Sequence, residues 1–202
     1  MTELGTTELL ALAAALGWAS GLRLYAVVFL TGLAGHLGWV PLPSGLQVLQ
    51  APMVLWASGA MLAVEFLADK IPFIDSAWDT VHTFIRIPAG AALAMAAVGG
   101  DHAQWAVVAG LMGGTLAATS HVAKASTRAA VNTSPEPFSN IGMSLLGDAA
   151  VPAMLWLAWE QPTWFFVALA LSVALAVVMI VSMFKFVRAL WRRVAGRPAL
   201  PA

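Results

Sequence analysis

An all-α bundle of about six membrane-spanning helices is the fold this sequence predicts, and three observations carry it. The 202 residues are 60% hydrophobic and only 10% charged, with a mean hydropathy of +0.84, far from the profile of a soluble domain. Apolar runs of about 20 residues recur, the length that crosses a ~30 Å hydrocarbon core at 1.5 Å per residue. Charge is gathered into two polar stretches. The first, ADKIPFIDSAWDTVHTFIRIPAG, runs from Ala68 to Gly90 and carries Asp69, Lys70, Asp75, Asp79, His82 and Arg86. The second, Ser120 to Asp148, carries His121, Lys124, Arg128, Glu136 and Asp148.

Taken in order, the spans are expected at about 9–37, 52–68, 84–100, 104–122, 141–159 and 163–187, with a basic tail at 188–202. The first holds Ser20-Gly21-Leu22-Arg23 at its middle. Residues 38–51, with prolines and glycines and no charge, read as a loop. The second span ends in Glu65 and Asp69. The apolar run from Ile87 to Gly100 is short for a span, so the third helix is expected to begin inside the polar stretch, near Phe84. Asp101-His102 marks a turn. The fourth span carries Gly110, Gly114 and Ala118 at intervals of four, a small-residue face for close packing within the chain or across a homo-oligomer. The fifth contains Asp148, and Glu160-Gln161-Pro162 turns the chain into the sixth.

Lysine and arginine set orientation. With six spans, nine of the ten basic residues fall on the side of both termini and both polar stretches, and none in the opposite loops. The polar stretches and termini are therefore expected on the cytoplasmic face, and Arg188, Arg192 and Arg193 at the headgroups. The absence of cysteine removes disulfides and thiolate chemistry. Glu3 and Glu8 before the first apolar run do not make a cleavable signal.

A possible internal repeat links the stretches. Ile71-Pro72-Phe73-Ile74-Asp75 resembles Glu136-Pro137-Phe138-Ser139-Asn140, and Ile87-Pro88-Ala89-Gly90 resembles Val151-Pro152-Ala153-Met154. A parallel repeat about the membrane normal would place both copies alike.

The runs ASGLRLY, ADKIPFIDSAWDTVHTFIRIPAG and KASTRAAVNTSPEPFSN together resemble a bacterial integral-membrane family catalogued as domain of unknown function 4126, over roughly Leu9 to Phe184. The resemblance implies a multi-pass protein of the bacterial inner membrane and carries no activity with it.

Candidate functional residues follow from cost. A charge at a helix centre costs ~2.5–3.5 kcal/mol on insertion scales, so Arg23 should face the interior and be paired. Asp148 is its expected partner and Glu65 the second choice. Ser20-Gly21 would let a helix or ligand approach the backbone. Asp75, Asp79, His82 and Arg86 fall at i, i+4, i+7 and i+11, one helical face, either on the membrane surface or in a re-entrant segment lining a cavity. His121, Lys124 and Arg128 form a second cationic face, suited to a helix C-terminus or to a lipid phosphate. In Asn132–Asn140, Ser134 or Ser139 is a possible N-cap.

A metal at Asp75, Asp79 and His82 is disfavoured by Arg86 and Lys70 beside it, so no cofactor or metal is expected. No phosphate loop, nucleophile elbow, zinc or dinucleotide motif is present, and nothing supports nucleic-acid binding. The expected partners are membrane lipids and a small solute or lipid headgroup.

The leading expectation is a transporter or channel in which Arg23, Asp75, Asp79, His82, His121, Arg128 and Asp148 line a cytoplasm-open cavity. The alternatives are a membrane enzyme acting on a lipid phosphate, with Asp75 and Asp79 as metal ligands or acid–base groups, and an accessory subunit whose charges only pack its helices.

Overall fold

The computed structural model describes residues 4–99, 103–132 and 137–195. They form six α-helices: α1 Thr6–His36, α2 Pro52–Ala68, α3 Ile74–Val98, α4 Ala103–Val131, α5 Pro137–Glu160 and α6 Pro162–Ala195, with a 3₁₀ helix at Ser44–Gln50 and no strand among them. All but α2 are long and apolar enough to cross a membrane. The 3₁₀ helix and α2 make a sixth candidate span together, bent by 71°. Trp56, Phe84 and Leu111 are each at least 70% exposed, as lipid-facing side chains should be.

α1 is the central post. It touches every other helix, and 78% of its span is buried against 11% for α6. The run Ala11, Ala13, Ala14, Ala15, Gly17, Ala19, Gly21 gives α1 small side chains on every side and lets its neighbours come close. A Cβ on Gly17 would lie 2.5 Å from the Gly113 Cα, and one on Gly21 would overlap the Ala117 carbonyl and the Ser120 Oγ of α4. The approach foreseen at Ser20-Gly21 is thus made by a helix. Gly110 and Gly114 face Met95 and Ala91 of α3, so that stripe packs within one chain.

Several expected boundaries move. The third helix begins at Ile74, ten residues before Phe84, and ends at Val98, so its polar face is neither a surface helix nor a separate re-entrant segment. It is the first half of one continuous helix, inside the protein. α4 likewise runs nine residues past 122 to Val131, and α6 continues beyond 187 to Ala195. The cause is the same for α3 and α4: their charges meet partners on other helices, which neutralises them where hydropathy counts each at full cost. The supposed loop 38–51 contains the 3₁₀ helix, whose Leu46 and Leu49 are buried. Ser139 lies inside α5 and is not its N-cap. Ser134, Glu136, Asp101, His102 and the tail beyond Ala195 lie outside the described residues.

The two similar motifs take like places, since each opens a helix with an interior proline, Pro88 in α3 and Pro152 in α5. An interior proline removes a hydrogen bond from the ladder. Between α2 and α3 the chain turns in five residues, with Phe73 at φ 71°, a conformation that costs a bulky residue of order 1–3 kcal/mol.

Candidate functional site: a neutral ion network beside an apolar cleft

Five cations and five anions meet where α2 and α4 end and α3 and α5 begin. Arg23 of α1 pairs with Asp69 at 2.9 Å and Asp148 at 2.8 Å. Asp69, at the α2–α3 turn, also takes Lys124 and Arg128 of α4, each at 3.0 Å. Arg86 bridges Glu65 at 2.7 Å and Asp79 at 2.6 Å. Asp79 lies 3.3 Å from Lys124 and 3.5 Å from Arg128, and Asp75 lies 3.6 Å from Arg128. Lys70 closes the outer end on Asp148 at 3.0 Å, with its ammonium over the Phe66 ring. The formal charges cancel, five against five, which is how such a cluster survives away from water.

Hydrogen bonds extend the network. Asn132 Nδ2 donates to Asp75 and to Ser76 Oγ. His82 donates from Nδ1 to the Trp78 carbonyl and accepts the Tyr25 hydroxyl at Nε2, while its ring stacks on Trp78 at 4.1 Å. His121 is hydrogen-bonded to Thr83 Oγ1 through Nε2 at 2.7 Å, and its Nδ1 lies 3.3 Å from the Gly21 carbonyl.

α1 is broken where the network enters it. Arg23 has φ −149° and ψ 84°, outside the helical region. A break takes backbone carbonyls out of the i→i−4 ladder, and in a membrane they must be satisfied by protein. The polar face of α4 meets them. Ser120 Oγ donates to the Trp18 carbonyl and Lys124 Nζ to that of Leu22 at 2.9 Å, with His121 Nδ1 beside the Gly21 carbonyl. The spacing of these α4 residues therefore serves the break in α1 as well as the carboxylates.

Of the nine residues singled out from the sequence, all but Asp148 are at least nine-tenths buried or nearly so, and seven join the ion network directly; His82 and His121 border it. The expected Arg23–Asp148 pair is present. Glu65 serves Arg86 and not Arg23. The sequence reading passed over Asp69, which like Asp79 has three cations around it, because it looked like an ordinary span end. It also passed over Ser120, Asn132 and Ser144, whose Oγ accepts Arg23 Nη2 at 3.0 Å. No metal-holding group of three or more His, Asp or Glu occurs among the described residues, and the carboxylates of Asp75 and Asp79 are turned to cations.

Beside the network, between α1, α4, α5 and α6, lies a cleft of about 260 Å³. Arg23, Lys124 and Arg128 form its polar end, and α5 and α6 supply apolar walls including Met143, Ala176 and Met179. Leu146 and Leu175, both largely exposed, stand at its rim. The expected cavity differs in kind: Asp75, Asp79, His82, Arg86, His121 and Asp148 do not line this cleft. The carboxylates have drawn their cations into pairs on the far side, and only the cationic edge is left facing space.

Asp69 lies outside the spans, and its charge state follows from its neighbours. Burial opposes ionisation, but Lys124, Arg128 and Arg23 together outweigh it and hold the carboxyl below its ordinary 3.8. A folded pKa below the unfolded one stabilises the fold above the unfolded value, and that contribution is lost as pH falls through the folded value. Thermal stability in neutral-lipid nanodiscs should therefore hold between pH 7 and 5 and drop below about pH 4, with a smaller drop in Asp69→Asn. An equal drop in both proteins would show that Asp69 takes no part.

No curated protein and no solved structure matches the chain. The family described as Domain of unknown function (DUF4126) matches residues 10–182, most of the chain, and this multi-pass helical membrane protein belongs to it.

Proposed function

We propose that the protein is a small transporter or carrier of an anionic solute in the bacterial inner membrane, with its termini and ion network toward the cytoplasm. The observation that carries the reading is the cleft itself, where three cations meet free space beside a broken transmembrane helix. Discontinuous helices at mid-membrane recur at the substrate sites of secondary transporters, and intramembrane charges mark pathways more often than packing. The nine-to-none distribution of lysine and arginine supports the orientation.

Proteoliposomes test this with octanoate and glycerol phosphate as probes. Uptake of at least one should exceed protein-free liposomes at least tenfold and vanish in a folded Arg23→Gln variant. Uptake unaffected by Arg23→Gln, or no uptake of either, would overturn the reading.

One observation favours a second reading, an accessory subunit. Ten charges pair among themselves, and a network closed on itself can serve to fix helix packing alone. A stable complex with another membrane protein, coupled with absence of uptake, is what that reading expects.

A further inference from the structure

We infer that the cleft binds an amphiphile with a single anionic head, a phosphate or carboxylate on an alkyl chain, which enters sideways from the bilayer between α5 and α6. The inference rests on the carrier reading above and names its substrate class. The polar end is built for a head. Arg23 and Arg128 are 2% and 4% exposed, and the Arg23 Nε hydrogen has no acceptor in the protein, beside Gly147 on the cleft wall. A buried guanidinium with an unused donor is short of an acceptor, and a planar fork suits an oxyanion.

The remaining wall is built for a tail. Beyond the three cations and four hydroxyl residues, the lining side chains are apolar. A hydrophilic anion would gain nothing from that wall, whereas an alkyl chain can stay in apolar surroundings along it. The volume, about 260 Å³, lies just below the ~300–1,000 Å³ of pockets that enclose a whole drug-sized ligand. It holds a head and the first part of a chain. The rest extends past Leu146 and Leu175, whose exposure leaves the rim open toward lipid.

Asp69 then acts as the tethered competitor of this ligand. It is the carboxylate shared by all three cleft cations, Arg23, Lys124 and Arg128. An incoming head takes over some of those contacts, and each cation it draws from Asp69 retains another carboxylate: Asp148 for Arg23, Asp79 for Lys124, and Asp75 and Asp79 for Arg128. Binding is thus an exchange of anions, without stranding a cation.

Native mass spectrometry of the full chain in a neutral detergent tests the inference with dodecyl phosphate, inorganic phosphate and dodecanol. Dodecyl phosphate should bind with one equivalent, at least tenfold tighter than either the head or the tail alone. Ala176→Leu, which narrows the apolar wall without touching a charge, should weaken dodecyl phosphate at least tenfold. Asp69→Asn should bind it several-fold tighter, and Arg128→Gln should bind it more weakly. Equal binding of inorganic phosphate would make the site one for free anions and overturn the inference, as would dodecyl phosphate binding untouched by Ala176→Leu. Weaker binding by a folded Asp69→Asn protein would overturn the exchange. Should that variant not fold, the Ala176→Leu arm still decides the substrate class. Amphiphile binding without uptake in proteoliposomes would remove the carrier reading and leave the site standing. Uptake of glycerol phosphate without dodecyl phosphate binding would do the reverse.

Discussion

Arg86→Met is expected to destabilise the protein by about 3–5 kcal/mol, the cost of leaving a buried charge without its partner. Arg86 is fully buried and holds Glu65 at 2.7 Å and Asp79 at 2.6 Å. The two carboxylates do not suffer equally. Asp79 keeps Lys124 at 3.3 Å and Arg128 at 3.5 Å, but Glu65 has no second cation among the described ion pairs, and it too is fully buried. The stranded charge is therefore Glu65. The double variant Glu65→Met/Arg86→Met should recover most of the loss, because an apolar pair of similar volume replaces an ion pair at little net cost. The non-additivity in such a cycle should exceed about 2 kcal/mol. Arg86→Lys should fall between, since one ammonium cannot span both carboxylates as the fork does. Thermal denaturation in one detergent of the parent, Glu65→Met, Arg86→Met, the double variant and Arg86→Lys checks this, and Arg86→Met as stable as the parent would refute it.

Gly17→Leu is the second large effect, and it should abolish a monodisperse folded product. The added Cβ would stand 2.5 Å from the Gly113 Cα and 2.8 Å from its carbonyl oxygen. Both atoms are backbone, so neither can rotate away, and the two helices would have to part. Overpacking typically costs about 1–3 kcal/mol where side chains can yield, and here none can. The matching control is Gly142→Leu in α5, where a Cβ meets nothing within 4 Å, and a change within about 0.5 kcal/mol is expected. Gly114→Ala should resemble the control more than Gly17→Leu, because its nearest neighbour is a methyl at 3.3 Å, the Cβ of Ala91. Size-exclusion profiles and melting temperatures of the three variants separate the cases. Full recovery of folded Gly17→Leu protein would show that α1 and α4 are not held in this register.

Much of this was legible before any coordinates. Apolar runs pointed to six helices, and the range 52–68 coincides with the bounds of α2. The cost of a mid-span arginine pointed to Asp148, and the i, i+4, i+7, i+11 face of α3 is buried as a unit. What was not legible depended on tertiary neutralisation. Glu65 and Asp69 lie four residues apart at one helix end and serve different cations, a choice set by which helix arrives at each. The length of α3 was underestimated because its first half pays for its charges with partners from α2 and α4. The stripe at Gly110 and Gly114 was visible by spacing. Gly113, whose Cα faces Gly17 of α1, lies outside that spacing. The cleft was invisible, since it depends on how α6 rests against α4 and α5.

The break at Arg23 has a consequence for biogenesis. The side chains that meet the carbonyls of Trp18, Gly21 and Leu22 come 100 to 102 residues later in the chain, and Ser144 comes 121 residues after Arg23. The charge of Arg23 has no partner until Asp69 follows α2, and the loosened backbone groups have none until α4 is made. Such a segment is poorly retained by lipid alone. The first helix synthesised is thus among the last to reach its final state, and the nascent chain depends on a holding environment until α4 and α5 emerge.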